Sequence, residues 1–361
     1  MSCWKTITGS TSRQASLAAP TKFNSIWSPI AACRCHGSAK AMDFQLSEDQ
    51  SALVAALQSI LEDYADIPQS ERHGHYRFDA QLQAQLESNG FLDAARDMGE
   101  LEAALVVFES AQLVGVVDTL GRGLVAPVVC PDVDFTGPVA LVERKALGRA
   151  IRNLTIASHL LVLDEDDLLV LDLAGCAIDP VESILAYPYG RFADMPDLSL
   201  ASRFEGRGPE MRRVWRIGLA AEIAGASRAA IDFTLDYVRN RKVFGRAVGS
   251  FQSVQHRLAM RHGHAKCGYY LSMRAAWSGT QTDAAIAACQ AQSGISELMF
   301  DLHQFNGGMG MTNEHLLHFW LYRIRALQAD VGGPTSAALD VAEARWGDQP
   351  ACVTAMPEAV S

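Results

Sequence analysis

The chain has 361 residues, 49% of them apolar, and a net charge of −10 from 31 Lys/Arg against 41 Asp/Glu. That length can bury two or three cores, no apolar run is long enough to span a bilayer, and the acidic balance argues against nucleic acid as a partner. The eight cysteines are scattered and only Cys33-Arg34-Cys35-His36 is compact, so no metal site or disulfide framework is indicated and reduced thiols are expected.

Residues 1–41 are rich in Ser, Ala and Thr and hold five Lys/Arg and no acid, which leaves a net −15 on the remainder. Two readings fit this leader. It is an organellar transit peptide, implying the mitochondrial matrix, or an upstream extension of the reading frame before Met42, implying a bacterial cytoplasmic protein. On either reading the segment is expected to be disordered or absent.

The folded chain is expected to open at Ser47-x-x-Gln50, a capping box before the periodic apolar run Leu53, Leu57, Ile60, Leu61, Tyr64. Helices are predicted over Phe78–Ser88 and Leu101–Leu113, with Gly90 as a break and Gly121, Gly123 and Pro127 ending the region. Residues 134–202 read as strands. Val139–Val142 and Thr155–Leu163 are short apolar runs, and Leu168–Leu173 follows a turn at Asp164–Asp167, a hairpin signal.

From Pro209 the periodicity becomes helical. Ile217, Ala221, Ala224, Ile231, Leu235 and Val238 form one apolar face; Phe251, Val254, Leu258, Ala265, Tyr269 and Met273 form a second. A third helix is predicted over about 282–304, and a fourth starts at Thr312 as N-cap and runs through Leu316, Trp320, Ile324 and Leu327. Four long helices joined by short turns predict a four-helix bundle. The expected fold class is mainly α with a small β domain. The expected domains are an N-terminal helical domain (42–132), a reduced β domain (133–205), the bundle (206–346) and a tail (347–361).

Two stretches carry chemistry. Between the first two bundle helices lies Arg239-Asn240-Arg241-Lys242-Val243-Phe244-Gly245-Arg246, closed by Phe251-Gln252. A helix C-terminus favours cations, so the cluster reads either as a solvated helix end or as a site for an anion such as a pyrophosphate. The second stretch is Gln304-Phe305-Asn306-Gly307-Gly308-Met309-Gly310-Met311-Thr312.

Arg-x-x-Phe-Gly followed by Phe-Gln, and then Gln-x-x-Gly-Gly-x-Gly, resembles the C-terminal domain of FAD-dependent acyl-CoA dehydrogenases. Met42–Gln50 is similar to the usual start of that family, which favours the extended-frame reading of the leader, and Leu124-Val125-Ala126-Pro127 resembles the segment closing its N-terminal domain. The resemblance implies removal of the α and β hydrogens of an acyl-CoA thioester, with a carboxylate taking the α proton and FAD accepting the hydride. It implies that Arg241 binds the FAD pyrophosphate and that Phe244 and Gln252 line the dinucleotide. Gln304, Gly307 and Gly308 would serve the adenosine end of a neighbouring subunit's FAD. An electron-transfer flavoprotein is the implied acceptor.

The chain also departs from the family pattern. Phe91–Arg96 runs where a Pro-Glu-x-x-Gly-Gly loop belongs, and the Thr-x-x-x-x-Gly-Ser-Asp segment is missing. The two usual positions of the catalytic base fall on Val331 and about Trp215. Asp330, one residue out of register, is a weak substitute; Glu222 and Glu210 are poorly placed. The expectation is therefore the base-lacking subunit of a heteromeric enzyme, acting with a second acyl-CoA dehydrogenase subunit on a bulky CoA thioester. A homomeric dehydrogenase with an unusual base, a non-catalytic scaffold and a different flavin reaction stay open as alternatives.

Overall fold

A computed structural model describes residues 42–347. The readings of residues 1–41 and of the tail beyond Gly347 lie outside these residues. Helix α1 (Glu48–Glu62) starts as its sequence dictates: Ser47 Oγ accepts from Gln50 N, the Gln50 side chain accepts from Ser47 N, and Leu57 and Leu61 turn inward. Helix α2 (Ala80–Ser88) begins two residues later than predicted. Phe78 forms a β-bridge with Val116, and Asp79 caps the helix through Leu82 N. The one-turn α3 (Ala94–Asp97) leads to α4 (Glu100–Ser110), buried along most of its length.

The expected break at 121–127 is absent. Gly121–Val125 form a buried π-turn that runs into α5 (Ala126–Val129). Pro127 lies in the first turn of α5, where its missing N–H costs nothing. The buried Asp118 carboxylate organises this corner by accepting from Gly121 N, Arg122 N and Val139 N.

The β region forms two small sheets. In the first, β1 (Val139–Glu143) lies parallel to β3 (His159–Asp164), which pairs antiparallel with β4 (Asp167–Asp172); β4 pairs with β7 (Ser202–Phe204). The hairpin predicted at 164–167 is present, turning on Glu165-Asp166. Leu141, Leu161, Leu163, Leu168 and Val170 face the main core, while Ala140, Val142, Leu160, Val162, Leu169 and Leu171 close a second one. Burial on both faces explains why these strands read as continuous apolar runs. The second sheet has the order β2 (Ile151–Arg152), β6 (Tyr189–Phe192), β5 (Ile178–Val181).

Helix α6 (Gly208–Asn240) spans 33 residues, about 50 Å at 1.5 Å per residue. It packs against α4, α7 (Gln252–Ser278) and α8 (Gln281–Ser293). At its closest approach to α4, a Cβ on Gly225 would lie 2.3 Å from the Phe108 carbonyl oxygen. The single third helix predicted over 282–304 is two helices, α8 and α9 (Ile295–Asn306), divided at Gly294. A Cβ there would sit 2.2 Å from His264 Nε2, so the ring occupies the space a side chain would need.

Helix α10 (Leu317–Leu327) starts five residues after Thr312, which does not cap it; the Thr312 hydroxyl donates to Met309 O and closes the preceding turn. Beyond the four predicted helices, α11 (Gly333–Trp346) packs on α8. Arg323 of α10 is buried and donates to the carbonyls of Ala111, Leu113, Val114 and Gly115, fastening the bundle to the end of α4. Among the described residues no helix is long and apolar enough to cross a membrane.

Candidate functional site

An open cavity of about 810 Å³ lies where the β region meets the bundle, within the size range of small-molecule sites. One wall is Leu141–Glu143 with Ile151 and Arg152; Tyr189 of β6 and Trp215 of α6 form the floor. The other wall is the turn Gln328–Gly333, which joins α10 to α11. Gln292 of α8 pins that turn by donating to Leu327 O and Asp330 O, both at 3.0 Å.

The two positions that the resemblance gives to a catalytic base, far apart in sequence, meet in this cavity as Trp215 and Val331. Neither carries a carboxylate. Val331 has φ 53° and ψ 40°, left-handed backbone that a β-branched residue rarely adopts. Trp215 is 3% exposed, and its buried indole N–H has no acceptor among the described residues.

Asp330 lines the cavity but is engaged: Arg152 Nη2 donates to its Oδ2 at 3.0 Å. Burial raises the Asp330 carboxyl above its usual range, and the Arg152 charge opposes that rise. Beneath the cavity Arg152 also meets Glu222 Oε2 at 3.6 Å, while Tyr187 donates to Glu222 Oε1 at 2.6 Å. Burial disfavours the Arg152 charge, but Asp330, Tyr187 and Glu222 outweigh it and hold the guanidinium above its ordinary value. Desolvation pushes Tyr189 up to about 12 despite the Arg152 charge beside it. Of the two poorly placed acids, Glu222 belongs to this buried layer, whereas Glu210 pairs with Arg207 at the start of α6.

Arg152 was invisible to motif reading. Its one sequence signal is a cation set in the apolar run around Ile151 and Leu154, where burial demands an anionic partner. The cations at the cavity mouth, Lys145, Arg149 and Arg325, were equally unmarked.

The residues expected to hold the dinucleotide lie elsewhere. Arg241 ends α6, 26 positions after Trp215, a separation of about 39 Å along a straight helix. Its guanidinium has no ion pair among the described residues, nor has Lys242. The β8–β9 hairpin (Lys242–Val243 and Arg246–Ala247) turns on Phe244 (φ 54°) and Gly245 (φ 79°), leaving Phe244 93% exposed. Gln252 is exposed at the first position of α7. Gln304, Gly307 and Gly308 are exposed at the end of α9. A Cβ on Gly308 would meet nothing within 4 Å among the described residues, whose packing does not require that glycine. Asn306 anchors this turn to α6 through a 2.9 Å bond from Nδ2 to Thr234 Oγ1.

These features fit FAD on two counts. The cavity offers an aromatic floor of Tyr189 and Trp215 between largely aliphatic walls, suited to a flat heteroaromatic ring system. The bundle's far end offers free cations and open glycine backbone, suited to a pyrophosphate. Both sets are present, but one chain holds them at opposite ends of α6.

Residues 213–344 match the family described as acyl-CoA dehydrogenase, C-terminal domain. The acyl-CoA dehydrogenase IpdE2 of Mycobacterium tuberculosis is 28% identical over 229 residues, covering 60% of this chain and 71% of that protein. The ChsE4-ChsE5 complex from Mycobacterium tuberculosis superposes with a TM-score of 0.72 at 17% identity, over 86% of this chain and 100% of that one. A Tcur3481-Tcur3483 steroid ACAD gives 0.67 at 20% identity, over 82% and 97%. Residues 213–344 thus match the acyl-CoA dehydrogenase C-terminal domain, and the chain as a whole shares the fold of these solved structures.

Proposed function

We propose that this chain is one subunit of a heteromeric, FAD-dependent acyl-CoA dehydrogenase, completing a cofactor site while a second dehydrogenase subunit supplies the catalytic base. The observation that carries the shared cofactor site is the separation of Trp215 from Arg241 along α6; the lack of a carboxylate at Trp215 and Val331 is what calls for a second, different subunit. A flavin whose ring lies in the cavity cannot also reach Arg241, Gln304, Gly307 and Gly308 of the same chain. Those residues are then offered to a cofactor whose ring lies in another subunit. Trp215 and Val331 support the second half of the proposal, since neither can take a proton from the α carbon of a thioester.

The two roles divide along the chain. FAD, when bound, supplies hydride acceptance from the β carbon. Arg241 supplies a bidentate cationic fork for a pyrophosphate, Phe244 an aromatic face, and Gly307-Gly308 backbone that a ligand can approach closely. An electron-transfer flavoprotein is the proposed acceptor of the electrons. A bulky, steroid-type CoA thioester is the proposed substrate class, in keeping with the similarity to a steroid ACAD. A bacterial cytoplasmic setting accords with the mycobacterial relative.

The test is the visible spectrum of the purified chain, alone and co-produced with an acyl-CoA dehydrogenase encoded beside it. Flavin bound only in the complex is the expected result. Stoichiometric flavin on the lone chain overturns the obligate partner. A second reading, a homomeric enzyme with Asp330 as base, draws on that residue's place in the cavity and its burial-raised carboxyl. Under it, Asp330→Asn abolishes turnover and leaves FAD in place.

A further inference from the structure

A second cavity, of about 430 Å³, opens between α1, α4, α6 and α7 and shares no lining residue with the first. Ala224 and Ala265 form its base and Phe108, Tyr269 and Tyr270 its aromatic side. The rings are arrayed: Phe108 and Tyr269 centroids are 4.5 Å apart with planes at 53°, and Tyr270 follows 5.2 Å from Tyr269. Two alanines at the bottom leave depth that larger side chains would fill.

Cations stand over these rings. The Arg228 guanidinium lies 6.0 Å from the Phe108 ring, Lys266 Nζ lies 5.8 Å from the Tyr270 ring, and His262 shares the rim. Arg228 has a loose partner in Asp232 at 3.8 Å; Lys266 and His262 have no ion pair among the described residues. The lining's one carboxylate, Glu109, accepts from Gln58 Nε2 at 3.0 Å and Gln112 Nε2 at 2.8 Å and keeps its charge, so Arg228 and Lys266 outnumber it two to one. The Tyr269 and Tyr270 hydroxyls have no hydrogen-bond partner among the described residues.

We propose that this cavity is a binding site for an aromatic carboxylate, its ring system against Phe108, Tyr269 and Tyr270 and its anionic group between Arg228 and Lys266. Aromatic walls alone would accept any flat apolar body. The two cations, in excess over the single carboxylate of the lining, select one bearing negative charge, and the tyrosine hydroxyls, unpartnered among the described residues, add donors to the carboxylate. The volume falls within the range of ligand pockets. The site depends on α4, α6 and α7 and not on the cofactor-binding residues, so it stands apart from the dehydrogenase reading.

The test is calorimetric titration of the full chain, in whatever assembly it purifies, with 2-naphthoate and with neutral 2-naphthamide. One saturable naphthoate site per chain is expected, with naphthamide bound at least about 10-fold more weakly, as loss of one charge-assisted contact implies. The Arg228→Gln/Lys266→Gln double variant changes only exposed side chains and weakens naphthoate by a similar factor. Ala265→Leu, verified as folded by circular dichroism, weakens both ligands by filling the base. Arg149→Gln, at the first cavity, leaves binding unchanged. Absence of saturable binding, equal affinity for the two ligands, or loss on Arg149→Gln but not on the double variant would each overturn the proposal.

Discussion

Arg152 Nη2 meets Asp330 Oδ2 at 3.0 Å across 178 positions of sequence, tying β2 to the turn between α10 and α11. The same guanidinium faces Glu222, so one cation holds two acids on separate elements. Removing one partner of a buried pair leaves the other charge uncompensated. Arg152→Ala is therefore expected to cost about 3 kcal/mol, read by urea unfolding. The loss should be greater at pH 8 than at pH 5, because the Asp330 carboxyl, raised by burial and deprived of the opposing Arg152 charge, takes up a proton in acid. A loss under about 0.5 kcal/mol would mean the pair is a solvated contact.

Arg241 is exposed and unpaired among the described residues, so Arg241→Ala should leave the unfolding midpoint in place. In the assembled enzyme it should weaken FAD about 10- to 100-fold, the worth of a charge-assisted pyrophosphate contact. Equilibrium dialysis of flavin from the complex measures this. Unchanged retention would remove Arg241 from the cofactor site.

Phe244 sits at positive φ in a two-residue hairpin turn, where Asn or Gly is favoured over an aromatic residue. Phe244→Asn should raise thermal stability slightly, by about 0.5–1 kcal/mol, and weaken FAD retention in the complex. Opposite signs for the two effects would mark the strained, exposed ring as serving a ligand. A rise in stability with no change in flavin would count against it.

Asp118 is pushed up to about 6, chiefly by burial, against the three backbone N–H groups and Arg152 that favour its charged form. A carboxyl with a raised pKa in the fold holds its proton more tightly there than in the unfolded chain. Its contribution to stability is thus greatest below about pH 4 and declines as pH rises to about 6, by roughly 3 kcal/mol in all. Asp118→Asn should remove that slope and, by losing at least one accepted hydrogen bond, cost about 1–3 kcal/mol. Unfolding of both proteins at pH 4.5 and 7 compares the slopes.

Gly225→Ala would ordinarily add up to about 1 kcal/mol to a helix. Here the new Cβ meets the Phe108 carbonyl oxygen at 2.3 Å and Ala111 Cβ at 3.0 Å. The crossing of α4 and α6 must open, and a net loss of about 1–3 kcal/mol is expected in thermal unfolding.

Several elements were legible because their causes are local. The capping box at Ser47 and Gln50, the turn after Asp164 and the apolar faces of α6 and α7 follow from spacing that neighbouring residues enforce. The breaks were harder, because long-range contacts accompany them: the predicted third bundle helix divides at Gly294, where the His264 ring fills the space of a Cβ, and the Asp118 carboxylate accepts from backbone donors of a buried π-turn where Gly and Pro suggested an end.

By itself the sequence determined the mainly helical fold with its small β region, and the two motifs that resemble the acyl-CoA dehydrogenase C-terminal domain matched by residues 213–344. It also determined the absence of a carboxylate at Trp215 and Val331. Only the tertiary structure decided that these two positions share one cavity, that Asp330 there is held by Arg152, and that Arg241 lies about 39 Å from Trp215 along α6. Spacing fixes what one helix presents, but the meeting of β2, α6 and the α10–α11 turn follows from packing between segments up to 178 residues apart, which no local pattern encodes.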